Sequence, residues 1–228
     1  MRLHPPIAIV LAVVLSASAL LFAWPGSGAR AGGDAAHGRA LAGTRCAACH
    51  GADGAGGAPS VPRLAGQDAD YLYRQLQAFG DGARASPVMD AVAAGLSERQ
   101  RRDVAAFFAA RSRHAAAGPE DALVDEGRVL FLAGGDDGRV PACADCHDAG
   151  KGGFAGGMRG MHGMAGMPMM GLPARHAPRL FGQHAAYVEQ RLQGFTDGTP
   201  EALRMSAMAA SMSLQQKRAV AAYVASRP

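Results

Sequence analysis

Cysteine is scarce in this sequence, and its few positions carry most of the information. The 228 residues contain four cysteines, all within two copies of the pattern C-x-x-C-H, CAACH and CADCH, so no cysteine remains for a structural disulfide bond. Redox dithiols and zinc sites also use C-x-x-C. Zinc, however, requires thiolates gathered from distant segments, and the βαβ pattern of a thioredoxin-like fold is absent. The motif residues are Cys46, Cys49, His50, Cys143, Cys146 and His147.

The C-x-x-C-H pattern is the attachment signature of c-type haem. Two thiols at this spacing form thioethers with the two porphyrin vinyl groups, and the adjacent imidazole ligates the iron. The two copies therefore predict two covalently bound haem c groups, with His50 and His147 as iron ligands.

The chain also lacks a marked excess of charge of either sign. Its formal net charge is +4, and residues 1–31 contain two arginines and no acid, which leaves 21 basic and 19 acidic residues in the rest. This near balance of charge predicts no nucleic-acid partner and no electrostatic binding to an anionic membrane surface.

A long apolar run occurs at the N-terminus, over residues 7–23, after a positively charged start. The run is followed by small residues that end in Ala29, Arg30 and Ala31, an A-x-A site. These parts predict a secretory signal peptide over residues 1–31, with cleavage after Ala31 and a periplasmic mature protein. An uncleaved membrane anchor is the alternative, because the run approaches the roughly 20 residues that span a bilayer.

The sequence contains an internal duplication. A shift of 116 residues aligns RLAGQDADYLYRQLQAFGDG, from Arg63, with RLFGQHAAYVEQRLQGFTDG, from Arg179, and the register continues without a gap to the terminal segments. Each copy predicts one domain. We place the domains at 32–115 and 116–228, with the boundary near residues 113–119, where Ala, Gly and Pro interrupt the helical pattern.

Sustained strand alternation is missing, which predicts an all-α fold of short helices joined by Gly- and Pro-rich loops. Ser97 with Gln100 and Ser213 with Gln216 each fit a capping box at the start of a terminal helix. The predicted helices cover residues 34–42, 68–79, 98–112 and 121–132.

A methionine in each copy is the candidate for the sixth iron ligand. Met89 is the single methionine of the first domain, and the repeat aligns it with Met205, although Met208 and Met212 lie nearby. A neutral thioether ligand favours the ferrous state. Pro62 and Pro178 are candidates to offer backbone carbonyls that orient the histidines.

The twin C-x-x-C-H motifs, the P-x-L-x-G-Q segments, the Y-x-x-x-x-L-x-x-F helices and the methionine before each terminal helix resemble the cytochrome c4 family. The resemblance implies two tandem class I cytochrome c domains related by pseudo-twofold symmetry, each wrapped around a covalent haem. It also implies that His50 and Met89 ligate the first iron, and His147 and Met205 the second.

The second domain departs from this pattern by 19 extra residues within residues 150–173, a Gly- and Met-rich insertion centred on 151–171. Thioethers select Cu(I), so the insertion is a candidate copper site. The alternative is a Gly-rich insertion whose methionines pack loosely or contact a partner. His162, His176 and His184 are interpreted as surface or structural residues. The candidate copper ligands are Met158, Met161, Met164 and Met167.

The resemblance implies an electron carrier that transforms no substrate. Its expected partners are redox proteins: a quinol-oxidising complex or a dehydrogenase as donor, and a terminal oxidase or another protein as acceptor. Membrane association would come through these partners or through an uncleaved N-terminal segment. The alternatives are a fixed cytochrome subunit of a larger periplasmic oxidoreductase, a dihaem peroxidase or oxidase with one open iron, and a copper-handling redox protein.

Overall fold

The computed structural model describes residues 32–113, 122–147, 177–195 and 200–227, with side chains from residue 203 onward in the last range. All regular secondary structure in these ranges is helical, which confirms the predicted all-α fold. None of the helices described is long and apolar enough to cross a bilayer. In chain order they are α1 Ala35–Arg45, α2 Ala47–His50, α3 Ala69–Gly80, α4 Pro87–Ala94, α5 Glu98–Ala109, α6 Ala122–Ala133, α7 Ala144–His147, α8 Ala185–Gln193, α9 Pro200–Ala210 and α10 Leu214–Ala225.

Helix starts are set by side chains that accept the first free backbone N–H groups. Asp34 accepts two such groups from the first turn of α1. Ser97 and Gln100 form a reciprocal capping box before α5, and Ser213 and Gln216 form another before α10. Both predicted capping boxes are confirmed.

The four predicted helices correspond to α1, α3, α5 and α6. The prediction was wrong at the end of α5, which stops at Ala109 rather than at residue 112. There the N–H of Arg111 bonds to the carbonyl of Phe108 at 3.1 Å, so the chain tightens into a turn that ends the helix.

Two helices that contain the candidate methionines were not predicted. Met89 lies within α4, and Met205 lies within α9. The signal for α4 was present in the sequence, because Ser86 is its N-cap and Pro87 its first residue. Pro200 likewise opens α9.

In residues 32–113, here called the first half, α1 crosses α5 at very short range. An ideal Cβ on Gly38 would lie 2.0 Å from the carbonyl oxygen of Asp103, so only glycine permits this crossing. The core beside it includes Val104, Phe107 and Phe108, each at most 4% exposed.

The Asp103 side chain secures the same crossing, although it is almost fully buried at 1% exposed. Its carboxylate accepts the N–H of Asp34 at 2.6 Å and the Nδ1–H of His37 at 2.6 Å. Burial raises the pKa of Asp103, but the hydrogen bonds from His37 and Asp34 outweigh burial and hold the pKa below its usual value.

Residues 122–227, here called the second half, repeat this arrangement with α6 against α10. An ideal Cβ on Gly127 would lie 1.9 Å from the carbonyl oxygen of Ala219. Phe131 packs at 5.0 Å from Phe181 and at 5.5 Å from Tyr223, measured between ring centroids. These rings form the centre of the second core.

The two halves meet within one compact unit, Gly32–Pro228, through hydrogen bonds that occur in reciprocal pairs. The N–H of Arg63 bonds to Oε1 of Gln183 at 2.8 Å, and the N–H of Arg179 bonds to Oε1 of Gln67 at 2.9 Å. In return, Nε2 of Gln183 donates to the Arg63 carbonyl at 3.0 Å, and Nε2 of Gln67 to the Arg179 carbonyl at 2.8 Å. Exchange of the halves maps this set of bonds onto itself.

Candidate haem sites

The first C-x-x-C-H motif occupies a single short helical turn. Cys46 lies between α1 and α2, and its carbonyl accepts the N–H groups of Cys49 at 3.2 Å and of His50 at 2.9 Å. This turn holds both thiols and the imidazole on one short piece of backbone. Gly51 then leaves the turn with φ of 79°, a conformation that favours glycine.

The second motif repeats the same turn. The carbonyl of Cys143 accepts the N–H groups of Cys146 at 3.2 Å and of His147 at 2.9 Å. Because the distances match those of the first motif, the two candidate sites have the same local geometry despite the extra residues that follow the second.

The four cysteines are free thiols rather than disulfides. Burial raises the pKa of Cys46 and of Cys143 to about 11 in each case, and it also raises the pKa of Cys146. Redox-active dithiols have a thiol whose pKa is lowered. None of these three thiols has that lowered pKa.

Each motif histidine is oriented by a proline carbonyl. Nδ1 of His50 lies 3.0 Å from the carbonyl oxygen of Pro62, and Nδ1 of His147 lies 2.8 Å from that of Pro178. Because a carbonyl oxygen only accepts, each Nδ1 carries the proton and each Nε2 keeps a lone pair for a metal. Burial also lowers the pKa of both histidines, partly offset by these bonds, which favours neutral imidazole.

The two candidate methionines lie in corresponding helices. Met89 is half-buried in the first turn of α4, and its N–H points to Oγ of Ser86 at 3.4 Å. Met205 is half-buried and packs against the second core. Met212 is a core residue at 8% exposed.

The residues present fit covalent haem c. Each half supplies two free thiols at the correct spacing, a neutral imidazole with Nε2 available and a half-buried thioether. No group of three or more His, Cys, Asp or Glu side chains that could hold a metal ion occurs among the described residues.

The candidate copper ligands lie outside the described residues, as do His162 and His176. His184 is described: it is the N-cap residue of α8, but its side chain makes no capping bond. Its Nε2 is buried, and burial together with the nearby charge of Arg63 lowers its pKa. Met158, Met161, Met164 and Met167 are the copper candidates concerned.

Sequence reasoning missed the glutamines and arginines that join the halves. The signal was the identity of the two segments RLAGQ and RLFGQ at their arginine and glutamine positions. Repetition alone does not distinguish a residue that supports its own haem site from one that contacts the other half.

Comparison with known proteins agrees with this geometry. The cytochrome c family model matches residues 35–111. Cytochrome c4 of Pseudomonas aeruginosa is 37% identical over 201 residues, which cover 86% of this chain and 90% of that protein. The chain belongs to the cytochrome c4 family.

This chain is also 35% identical, over 235 residues, to the thiosulfate dehydrogenase electron acceptor of Thiomonas intermedia, and the match covers 100% of this chain and 95% of that protein. The crystal structure of reduced recombinant cytochrome c4 from Pseudomonas stutzeri matches with a TM-score of 0.70 and 31% identity, over 86% of this chain and 100% of that chain. The protein is thus a dihaem electron-transfer cytochrome with covalently bound haem c and the class I cytochrome c fold.

Proposed function

We propose that this protein is a periplasmic carrier that moves single electrons from a quinol-oxidising complex or a dehydrogenase to a terminal oxidase or another acceptor. The observation that carries the proposal is the pair of equivalent sites, each with a neutral histidine fixed by a proline carbonyl. The iron of each haem c supplies one-electron chemistry between the ferric and ferrous states. No substrate is transformed.

In this proposal each half holds its haem with one motif. Cys46 and Cys49 attach the first group, and Cys143 and Cys146 the second. His50 with Met89 would ligate the first iron, and His147 with Met205 the second, while Pro62 and Pro178 keep the histidines in one orientation and one tautomer. A thioether ligand from each methionine would leave the iron closed to external ligands and would favour its ferrous state.

We further propose that residues 1–31 are a signal peptide and that 32–115 and 116–228 are the two cytochrome c domains. Export is consistent with covalent haem attachment, which takes place outside the cytoplasm. Mass spectrometry of the protein purified from the periplasm tests this: cleavage after Ala31 gives a chain that starts at Gly32, whereas an anchored form retains residues 1–31 in the membrane fraction.

A second candidate function is that of a cytochrome bound to a periplasmic oxidoreductase. This alternative is favoured by the structural match to thiosulfate dehydrogenase from Marichromatium purpuratum, in which the matched part is 40% of a longer chain. Stable co-purification with a dehydrogenase would support a bound subunit, and reduction of the separately purified protein by that dehydrogenase would support a mobile carrier.

The test of the proposed sites is a spectroscopic redox titration of the haem-loaded protein, with carbon monoxide added after reduction. Two low-spin haems with positive potentials that refuse carbon monoxide are expected. Met89→Ala and Met205→Ala should each open one iron to carbon monoxide. The matched control is Met212→Leu, a core substitution that should leave both irons closed; carbon monoxide binding by the unaltered protein would contradict the ligand assignment.

A further inference from the structure

Each motif histidine is connected to a glutamine of the opposite half through one peptide group. The Pro62 carbonyl that accepts the Nδ1–H of His50 belongs to the same peptide unit as the N–H of Arg63. That N–H donates to Oε1 of Gln183 at 2.8 Å. The hydrogen-bonded chain thus runs from His50, through a single peptide, to the second half.

The mirror chain has the same composition. His147 donates to the carbonyl of Pro178 at 2.8 Å, and the N–H of the same peptide, from Arg179, donates to Oε1 of Gln67 at 2.9 Å. The histidine of the second half is therefore connected to a glutamine of the first half.

Both glutamines are held firmly in these positions. Gln67 and Gln183 are each 7% exposed. The Oε1 of Gln183 also accepts the N–H of His184 at 3.0 Å, and that of Gln67 accepts the N–H of Asp68 at 2.9 Å. With Nε2 bonded to the arginine carbonyl across the interface, each amide is satisfied on both sides and has one orientation.

We propose that Gln183 tunes the reduction potential of the first haem and that Gln67 tunes that of the second. Both are positioning residues that act across the interface between the halves. A peptide whose N–H is bonded has a more strongly polarised carbonyl, because adjoining hydrogen bonds reinforce each other. That carbonyl accepts the histidine Nδ1–H more strongly, which makes the imidazole a better donor to iron and favours the ferric state.

The predicted pattern is therefore crossed: a substitution in one half changes the potential of the haem in the other half. A residue that acted only within its own half would not give this result. Substitution of Gln183 by leucine removes the acceptor for the Arg63 N–H and should raise the potential of the first haem. The expected change is about threefold in the Fe(II)/Fe(III) equilibrium, from modest cooperative strengthening of one bond. For one electron this is about 28 mV, because a tenfold change is 59 mV.

The inference rests on the proposed axial ligands, and its test is a redox titration of the haem-loaded protein in which NMR assigns each potential to its haem. Gln183→Leu should shift only the first potential, and Gln67→Leu only the second. The matched control is Tyr187→Phe, which removes another bond between the halves, from Nη2 of Arg84 to the tyrosine oxygen at 3.2 Å, without touching either histidine-linked peptide.

The crossed pattern, with both potentials unchanged in Tyr187→Phe, would support the inference. Equal shifts of both potentials in all three variants would overturn it, because the glutamines would then act only by holding the halves together. A shift confined to the substituted half would overturn it as well. If Gln183→Leu does not fold, Gln67→Leu tests the mirror chain. Failure of the proposed function would instead appear in the unaltered protein, as carbon monoxide binding or a missing low-spin haem.

Discussion

Two glycines in α1 should respond in opposite ways to the same substitution. Gly43 has no atom within 4 Å of an ideal Cβ, whereas at Gly38 that Cβ would lie 2.0 Å from the carbonyl oxygen and 2.5 Å from the carbonyl carbon of Asp103. Alanine relieves the conformational cost of glycine within a helix, by about 0.5–1 kcal/mol at each position. Gly43→Ala should therefore stabilise the first half.

At Gly38 this gain is outweighed by the clash. The obstructing atoms are backbone atoms of α5, so the two helices would have to separate by about 1.4 Å to reach ordinary van der Waals contact at 3.4 Å. Overpacking of this kind costs about 1–3 kcal/mol, and more where backbone must move. We expect Gly38→Ala to lower the free energy of unfolding by about 2 kcal/mol net and Tm by about 4–8 °C.

The assay is urea unfolding of the haem-loaded protein, followed by circular dichroism. Because both substitutions add one methyl group to the same helix, differences in helix propensity largely cancel. If Gly38→Ala and Gly43→Ala change the free energy of unfolding equally, in either direction, then close backbone contact at this crossing does not require glycine.

Two further predictions concern the first half. Asp103→Asn should lower the free energy of unfolding by about 1–3 kcal/mol near neutral pH, because it weakens the bond to His37. The pKa of Asp103 is lowered in the folded state, so its stabilising contribution is present above the unfolded pKa of about 3.9 and is lost as pH falls through the folded pKa. In an acid titration, the difference in free energy of unfolding between the two proteins should therefore shrink below about pH 4. A difference that stays constant with pH would contradict this. Ser97→Ala should cost about 1 kcal/mol by removing the cap of α5, measured by urea unfolding, and no loss would mean that the cap is replaced by water.

Much of the fold was predictable because its signals are local. Helices α1, α3, α5 and α6 follow from apolar spacing and capping residues a few positions apart. The oriented histidines were also within reach, since Pro62 and Pro178 occupy equivalent places after the two motifs. The helices with Met89 and Met205 were missed although Pro87 and Pro200 mark their starts, because a proline is equally compatible with a rigid turn.

The contact between the halves could not be predicted in this way. Arg63 and Gln183 are 120 residues apart, and their bond depends on how two folded halves are placed against each other. A buried glutamine satisfies its amide equally well within its own half, so no local pattern distinguishes these outcomes. Only the three-dimensional structure shows that each glutamine bonds to the opposite half.

The reciprocal contact also bears on how the two halves can diverge. In a dimer of identical chains, every substitution occurs twice, and the two equivalent sets of contacts in a twofold interface change together. Here both sets of bonds belong to one polypeptide. A substitution therefore changes one set, such as the bonds between Arg63 and Gln183, and leaves the corresponding set intact. Asp68 already stands opposite His184 in the repeat, and Asp103 opposite Ala219. Covalent fusion thus frees each haem environment to vary independently while the shared contact is kept.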